Sequence, residues 1–277
     1  MKEFIIRIKE GIYRMKYFEI GKITWKRMST YKFDVCCEVV FAFARILLAY
    51  VMWRAIYKYN IEVAGYSFSM MITYFIIISL IKNLEQSEGL SKEMAEEIRN
   101  GEFTKYLVRP VNFLGYFYAS SLFRTLFTTV TSIVGFVVGY FILHKYFVLP
   151  YNIASLLIAV VIFLLALNCM LFIDYCIMVI SFYLLQISSF YLVKYNIFEF
   201  ITGSFVPLVM FPEKVQAVFK LFPFYYLYQY PISVYFGEIS TGLEKAFLIL
   251  GIWNVVLLIF SLVLYKFAVK RYEGVAI

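Results

Sequence analysis

Six ionisable residues lie inside long apolar runs of this 277-residue chain: Glu38, Arg45, Arg124, Asp174, Lys194 and Glu199. A charge surrounded by hydrocarbon is costly, so such groups pair with one another or face water. Two roles suit them. One is a polar path for ions or substrate, with proton transfer between carboxylates; the other is structural pairing and snorkelling. Asp34, Glu38 and Arg45 share one face of the first run, but two turns separate Glu38 from Arg45, which strains a direct pair within one straight helix. No catalytic set accompanies these charges. The single histidine, His144, has no paired nucleophile. The one glycine pair with phosphate-loop spacing, Gly237 and Gly242, is followed by Leu243-Glu244 rather than by Lys and Ser/Thr. Cys36, Cys37, Cys169 and Cys176 form no Cys-x-x-Cys pair and read as small packing residues. The chain is therefore expected to be no enzyme and to bind no cofactor or metal itself.

The elements that must position these charges are membrane helices. Hydrophobic residues make up 63% of the chain and charged ones 16%, against roughly a quarter charged in soluble proteins. Mean hydropathy is +0.79. This composition excludes an ordinary soluble enzyme, a disordered chain and a secreted disulfide scaffold. A membrane helix needs about 20 mostly apolar residues, and six runs qualify: 35–57, 63–82, 115–143, 152–181, 187–211 and 245–268. The runs are continuous rather than alternating, which favours helices over barrel strands. The expected fold is an all-α polytopic membrane protein with a single transmembrane domain over 1–277. Residues 1–33 are charged throughout and do not resemble a signal peptide. Of the 26 Lys and Arg residues, seventeen fall in 1–33, 82–110 and the tail from 266, against six in the alternate connections. That bias places both termini in the cytoplasm. The net charge of +8 then reports topology, and nucleic acid is not an expected partner.

The segments between the runs carry their own patterns. In 3–18, Phe4, Ile5, Ile8, Ile12 and Met15 recur at helical spacing among lysines and arginines, as in a helix lying on the bilayer surface. An elbow that also touches a cytoplasmic partner is the alternative. In the cytoplasmic segment 86–110 a short helix is expected, with Ser91 as cap, Glu93 in its first turn, and Asn100-Gly101 as stop. Met94 and Ile98 share one face, and an extended piece ending at Arg109-Pro110 follows. Segment 212–244 is too polar to cross and rich in Tyr, suiting an aromatic cap or short re-entrant helices at the outer boundary. Gly203, Pro207 and Pro212 weaken the outer half of the fifth run and point to a flexible gate. Gly135 and Gly139 form a small-xxx-small pair for close helix packing, within the subunit or at a dimer seam.

Taken in order, four stretches resemble the permease subunits of ABC type-2 transporters, the six-span, daunorubicin-exporter-like family. They are Trp53-Arg-Ala-Ile-Tyr57 with Gly65-Tyr66 and Met71-Ile-Thr-Tyr74; Ile98-Arg-Asn-Gly101 with Leu107-Val-Arg-Pro-Val111; Gly203-Ser-Phe-Val-Pro207 with Phe211-Pro212, Phe222-Pro-Phe224 and Pro231; and Lys270-Arg-Tyr-Glu-Gly274. Phe103 stands where the family pattern has Leu. The resemblance implies a homo- or heterodimer of permeases in the bacterial cytoplasmic membrane, served by two copies of a separate ATP-binding subunit that holds ATP and Mg. It implies that 91–110 is the coupling helix, with Met94, Glu96, Glu97, Ile98, Arg99, Gly101, Arg109 and Pro110 at the ATPase. Substrate would move outward beneath the short outer helices of 212–240. Gly203, Pro207, Phe222, Phe224 and Tyr225 are the candidate outer gate, and Glu38, Arg45, Arg124, Asp174 and Glu199 the candidate path or charge network. The competing expectation is an ion-coupled carrier or channel using those intramembrane charges.

Overall fold

The computed structural model describes residues 2–30, 32–109, 111–184 and 187–272. Pro110 and the last residues of the tail motif, Glu273 and Gly274, lie outside them. So do the side chains of Glu38, Cys36 and the apolar residues of 3–15. The chain is helical almost throughout. Helix α1 spans Lys2–Thr30, α2 Lys32–Tyr57, α3 Phe68–Leu84, α4 Ser87–Arg99, α5 Thr104–Leu107 and α6 Phe113–Leu143. Then follow α7 Ile153–Ile180, α8 Ser188–Ile201, α9 Glu213–Phe219, α10 Gln229–Phe236 and α11 Leu243–Ala268.

Local signals set the helix ends. The Ser67 hydroxyl caps α3 by accepting from the Met70 amide at 3.3 Å. Asn112 does the same for α6 through Gly115. Asn152 and Ser155 cap α7 reciprocally, so orphan amides find partners at each entry. The first residues of the expected second span, 63–67, instead belong to a hairpin: β1 (Glu62–Val63) pairs antiparallel with β2 (Tyr66–Ser67). Ala64 and Gly65, both with positive φ, make its turn.

Helix α7 is the hub. It packs on α11, α10, α4 and α6, and its buried positions run from Ala159 to Val179. Two apolar clusters meet along it. One joins α3, the first half of α7, and residues from the 207–236 stretch. The other gathers α4, Phe103, the start of α6, the end of α7 and Tyr191 of α8. Asn168 of α7 donates to Asn254 Oδ1 of α11 at 2.6 Å, and Asn254 donates onward to Leu165 O. Helix α1 is one long element whose second half lies along α6. Phe18 meets Phe123, Trp25 meets Phe127, and Gly21 lies so close to the Phe123 ring that a Cβ would approach it to 2.2 Å.

Among the described residues, four helical stretches are long and apolar enough to cross a membrane: Val40–Tyr57, Phe68–Arg99, Ile153–Ile180 and Leu243–Arg271. Helix α6 has 31 residues and carries Arg124. The expected fifth span, 187–211, is not one helix. Helix α8 has 14 residues, about 21 Å at 1.5 Å per residue, against a hydrocarbon core of about 30 Å. It stops at Thr202-Gly203, where Gly203 takes φ +82° and Pro207 opens a 3-10 turn at Leu208–Met210. The expected outer cap, 212–244, packs against the long helices over part of its length. Leu221 O accepts from Trp253 Nε1 at 2.8 Å, well inside α11. Tyr228 reaches Glu85 at the other end of α3, donating at 3.0 Å. The stretch after α8 is therefore inserted between the helices, and α10 leads back to the Asn152 end of α7, where Tyr151 N donates to Tyr235 O at 2.9 Å.

Candidate functional site

The charges converge where α4 meets the long helices. The Lys194 ammonium of α8 is buried against three carboxylates: Asp174 of α7 at 2.7 Å, Glu88 of α4 at 2.8 Å and Glu85 at 3.7 Å. Asp174 is fully buried. It also accepts from Ser87 Oγ at 2.6 Å, and its backbone carbonyl accepts from Ser91 Oγ at 2.7 Å. Ser91 is hydrogen-bonded to the Tyr191 hydroxyl as well. Helix α4 thus begins one turn earlier than expected, at Ser87, and Ser91 is a cross-link to α7 rather than a cap. Nearby, Lys82 of α3 pairs with Glu199 of α8 at 2.5 Å, and Glu199 accepts from Ser204 just beyond the break at 2.7 Å. Every one of these charges has an opposite partner, as burial in a low-dielectric interior demands.

Glu93 of α4, expected in a first turn, sits mid-helix between two arginines. Its carboxylate meets Arg124 of α6 at 2.5 Å and Arg27 of α1. Arg45 is apart from both clusters, with its guanidinium donating to Asn83 Oδ1 of α3 at 3.1 Å.

The expected coupling residues divide by face. Met94 and Ile98 are buried in the cluster with Phe117, Tyr175 and Met178; they fasten α4 to α6 and α7, each burial contributing about 1.5–3 kcal/mol. Glu96 and Arg99 point outward and are exposed. Glu97 turns toward α5, accepting from the Tyr106 hydroxyl and pairing with Lys105 at 2.7 Å. Burial by itself would lower the Lys105 ammonium, but hydrogen bonds and charge from Glu97 and Glu102 outweigh it and raise its pKa. Burial first, then the bond to Glu97, push the Tyr106 phenol above its ordinary range. Gly101 does end α4, at φ +79°. The expected extended piece is the one-turn helix α5, followed by exposed Leu107 and Val108, 51% and 76% accessible. Arg109 lies over the rings of Tyr106 and Tyr116. The tail closes this corner: Tyr272 donates to Gly101 O at 2.5 Å, and its ring meets Phe103. Phe103, fully buried, is ringed by Phe113, Phe182 and Tyr272 in edge-on aromatic contacts that a leucine could not make.

The expected gate residues surround the break after α8. The Tyr74 hydroxyl donates to Gly203 O at 2.7 Å and to Gln229 Oε1 at 3.1 Å. The Leu208 amide also donates to Gln229 Oε1, and Gln229 Nε2 donates to the Tyr66 hydroxyl. Tyr66 continues to Ser233 and Glu238. Burial raises the Glu238 carboxyl above its ordinary range, with the Ser233 and Tyr66 bonds opposing. Pro207 and Tyr225 are buried, Phe224 packs on Phe198 of α8 and Phe222 on Trp253 of α11. Sequence reasoning missed Glu85, Glu88, Gln229 and the central place of Lys194. A lysine alone in an apolar run was the available signal for the last.

Among the described residues no group of His, Cys, Asp and Glu is placed to hold a metal. Cys169 and Cys176 are buried and free, and the His144 ring bonds to Phe141 O at the end of α6.

Long apolar helices around a hub, with charges paired at one end and a break at Gly203, define a multi-pass membrane protein. The chain belongs to the ABC-2 family of transporter proteins, whose family model matches residues 43–276. No curated protein matches it, and no solved structure does. The chain is thus a permease of the ABC-transporter type, a family that generally works with an ATP-binding subunit.

Proposed function

We propose that the chain is the transmembrane permease subunit of an ATP-binding-cassette exporter, driven by ATP hydrolysed in a separate subunit. The observation that carries this reading is the two-sided build of α4. Its inner face is fastened by Met94, Ile98, Glu88 and Glu93 to α6, α7, α8 and α1, while the side chains of Glu96 and Arg99 are exposed. Exposed Leu107 and Val108 extend that surface with apolar side chains. A surface of mixed charge beside apolar residues suits docking to another protein. A push on it reaches α7 and α8 through buried ion pairs rather than through a loose loop.

On this reading there are six crossings, with the fifth shared between α8 and α10, and both termini lie in the cytoplasm of a bacterial cell. Two permeases, identical or homologous, assemble with two ATP-binding subunits that hold ATP and Mg. Asp174 and Glu199 are each neutralised by a lysine, which favours a structural role over the ion-coupled carrier. The test is co-purification with an ATP-binding subunit, followed by ATP-stimulated transport. Reversing the charges at Glu96 and Arg99 should abolish stimulation in a folded protein. Failure of any ATP-binding subunit to bind the unaltered chain refutes the reading.

A further inference from the structure

Two of the cavities between the helices differ in chemistry. The groove between α3, α6 and α7, about 850 Å³, is lined without a single charged residue. The other, about 610 Å³, lies between α2, α3, α4 and α8 and has four cations and three carboxylates on its wall. The carboxylates are all engaged. Glu199 is held by Lys82, Glu88 by Lys92 and Lys194, and Glu85 by Lys194 and Tyr228. Arg45 is different. Among the described residues its hydrogen-bond partner is the neutral amide of Asn83, so the charge this cavity offers a ligand is positive. Arg45 stands on α2 beside Phe41 and Leu48, which also line the cavity and are largely exposed. One wall is thus cationic and hydrogen-bonding, and the adjoining one is apolar and open to the side.

We propose that this cavity binds an anionic amphiphile, with an oxyanion headgroup on Arg45 and its apolar part along Phe41 and Leu48. A guanidinium presents a planar fork that matches phosphate, carboxylate or sulfate oxygens. Asn83 holds that fork in place as a neutral partner, and no carboxylate among the described residues pairs with it. The assignment rests on reading the chain as a permease, but its test needs no ATP-binding subunit, so the two readings fail separately.

The experiment titrates purified full-length protein in uncharged detergent with dihexanoylphosphatidic acid, dihexanoylphosphatidylcholine and inorganic phosphate, reading heat of binding. The phosphatidic acid should bind, and the choline lipid should bind far more weakly. Arg45→Gln should weaken the phosphatidic acid by about tenfold or more, the loss of one charge-assisted contact. Asn83→Asp keeps the arginine but supplies an internal carboxylate, and should weaken binding similarly without removing any side chain from the wall. Thermal unfolding of both variants confirms that they fold. Inorganic phosphate binding as tightly as the lipid would overturn the amphiphile in favour of a free oxyanion. Equal binding of the choline lipid, or unchanged affinity in folded variants, would overturn the site.

Discussion

Two buried polar networks lie at opposite ends of α3, and they are built differently. At the α4 end, Lys194 gathers the formal charges of Asp174, Glu88 and Glu85. The network that runs from the Gly203 carbonyl through Tyr74, Gln229, Tyr66 and Ser233 bonds neutral groups and ends on one carboxylate, Glu238, with the Glu199–Lys82 pair beside it at Ser204. The first joins three helices and the end of α3 by interactions that are expensive to leave half-made. The second pins a broken backbone with hydroxyl and amide bonds of modest net worth. If α4 carries the proposed docking face, a stiff joint beside it and a softer one at the break suit a motion that enters at α4 and is released beyond α8.

The contrast can be tested by breaking each network in turn. Lys194→Met leaves Asp174 and Glu85 without a cation, while Glu88 keeps Lys92, and should destabilise the fold by about 3–5 kcal/mol, the cost of an uncompensated buried charge. Thermal or denaturant unfolding in detergent measures it. The double variant Lys194→Met with Asp174→Leu should recover a good part of that loss; if the single change is as mild as the double, the network is not what holds the joint. At the softer end, Gly203→Ala forces a Cβ into a left-handed backbone, 2.9 Å from the Tyr74 hydroxyl, and should cost about 1–3 kcal/mol. Tyr272→Phe keeps the ring against Phe103 but loses the bond to Gly101 O, for about 0.5–1.5 kcal/mol by the same unfolding assay. Reversing Glu96 and Arg99 together should shift unfolding by no more than about 0.5 kcal/mol, since neither holds the fold. A large shift there would mean that the outer face of α4 is structural.

Much of this was legible in the sequence. Apolar runs marked α2, α3, α6, α7 and α11 to within a few residues, because a membrane core leaves continuous hydropathy. Gly203, Pro207 and Pro212 announced the broken fifth run, although composition alone made it look long enough to cross. The role of Lys194 was not legible. Its partners are 20 residues away on α7 and 106 away on α4, and hydropathy carries no information about pairing across helices. Ser91 misled for a related reason: its hydroxyl suits a cap by type, but the fold places it opposite the Asp174 carbonyl. The spacing of Met94 and Ile98 puts them on one face, yet that face is turned inward by α6 and α7, which no local pattern specifies.

Cross-linking tests most directly whether the outer face of α4 is the contact for an ATP-binding subunit. Cysteines placed singly at Glu96 and at Arg99, with the native Cys36, Cys37, Cys169 and Cys176 replaced by Ala, allow oxidative cross-linking in native membranes beside an ATP-binding subunit carrying one surface cysteine. The account predicts a permease–ATPase cross-link from both positions, and none from a control cysteine at Ile61 in the hairpin connection. Cross-linking from Ile61 but not from Glu96 or Arg99 would contradict it.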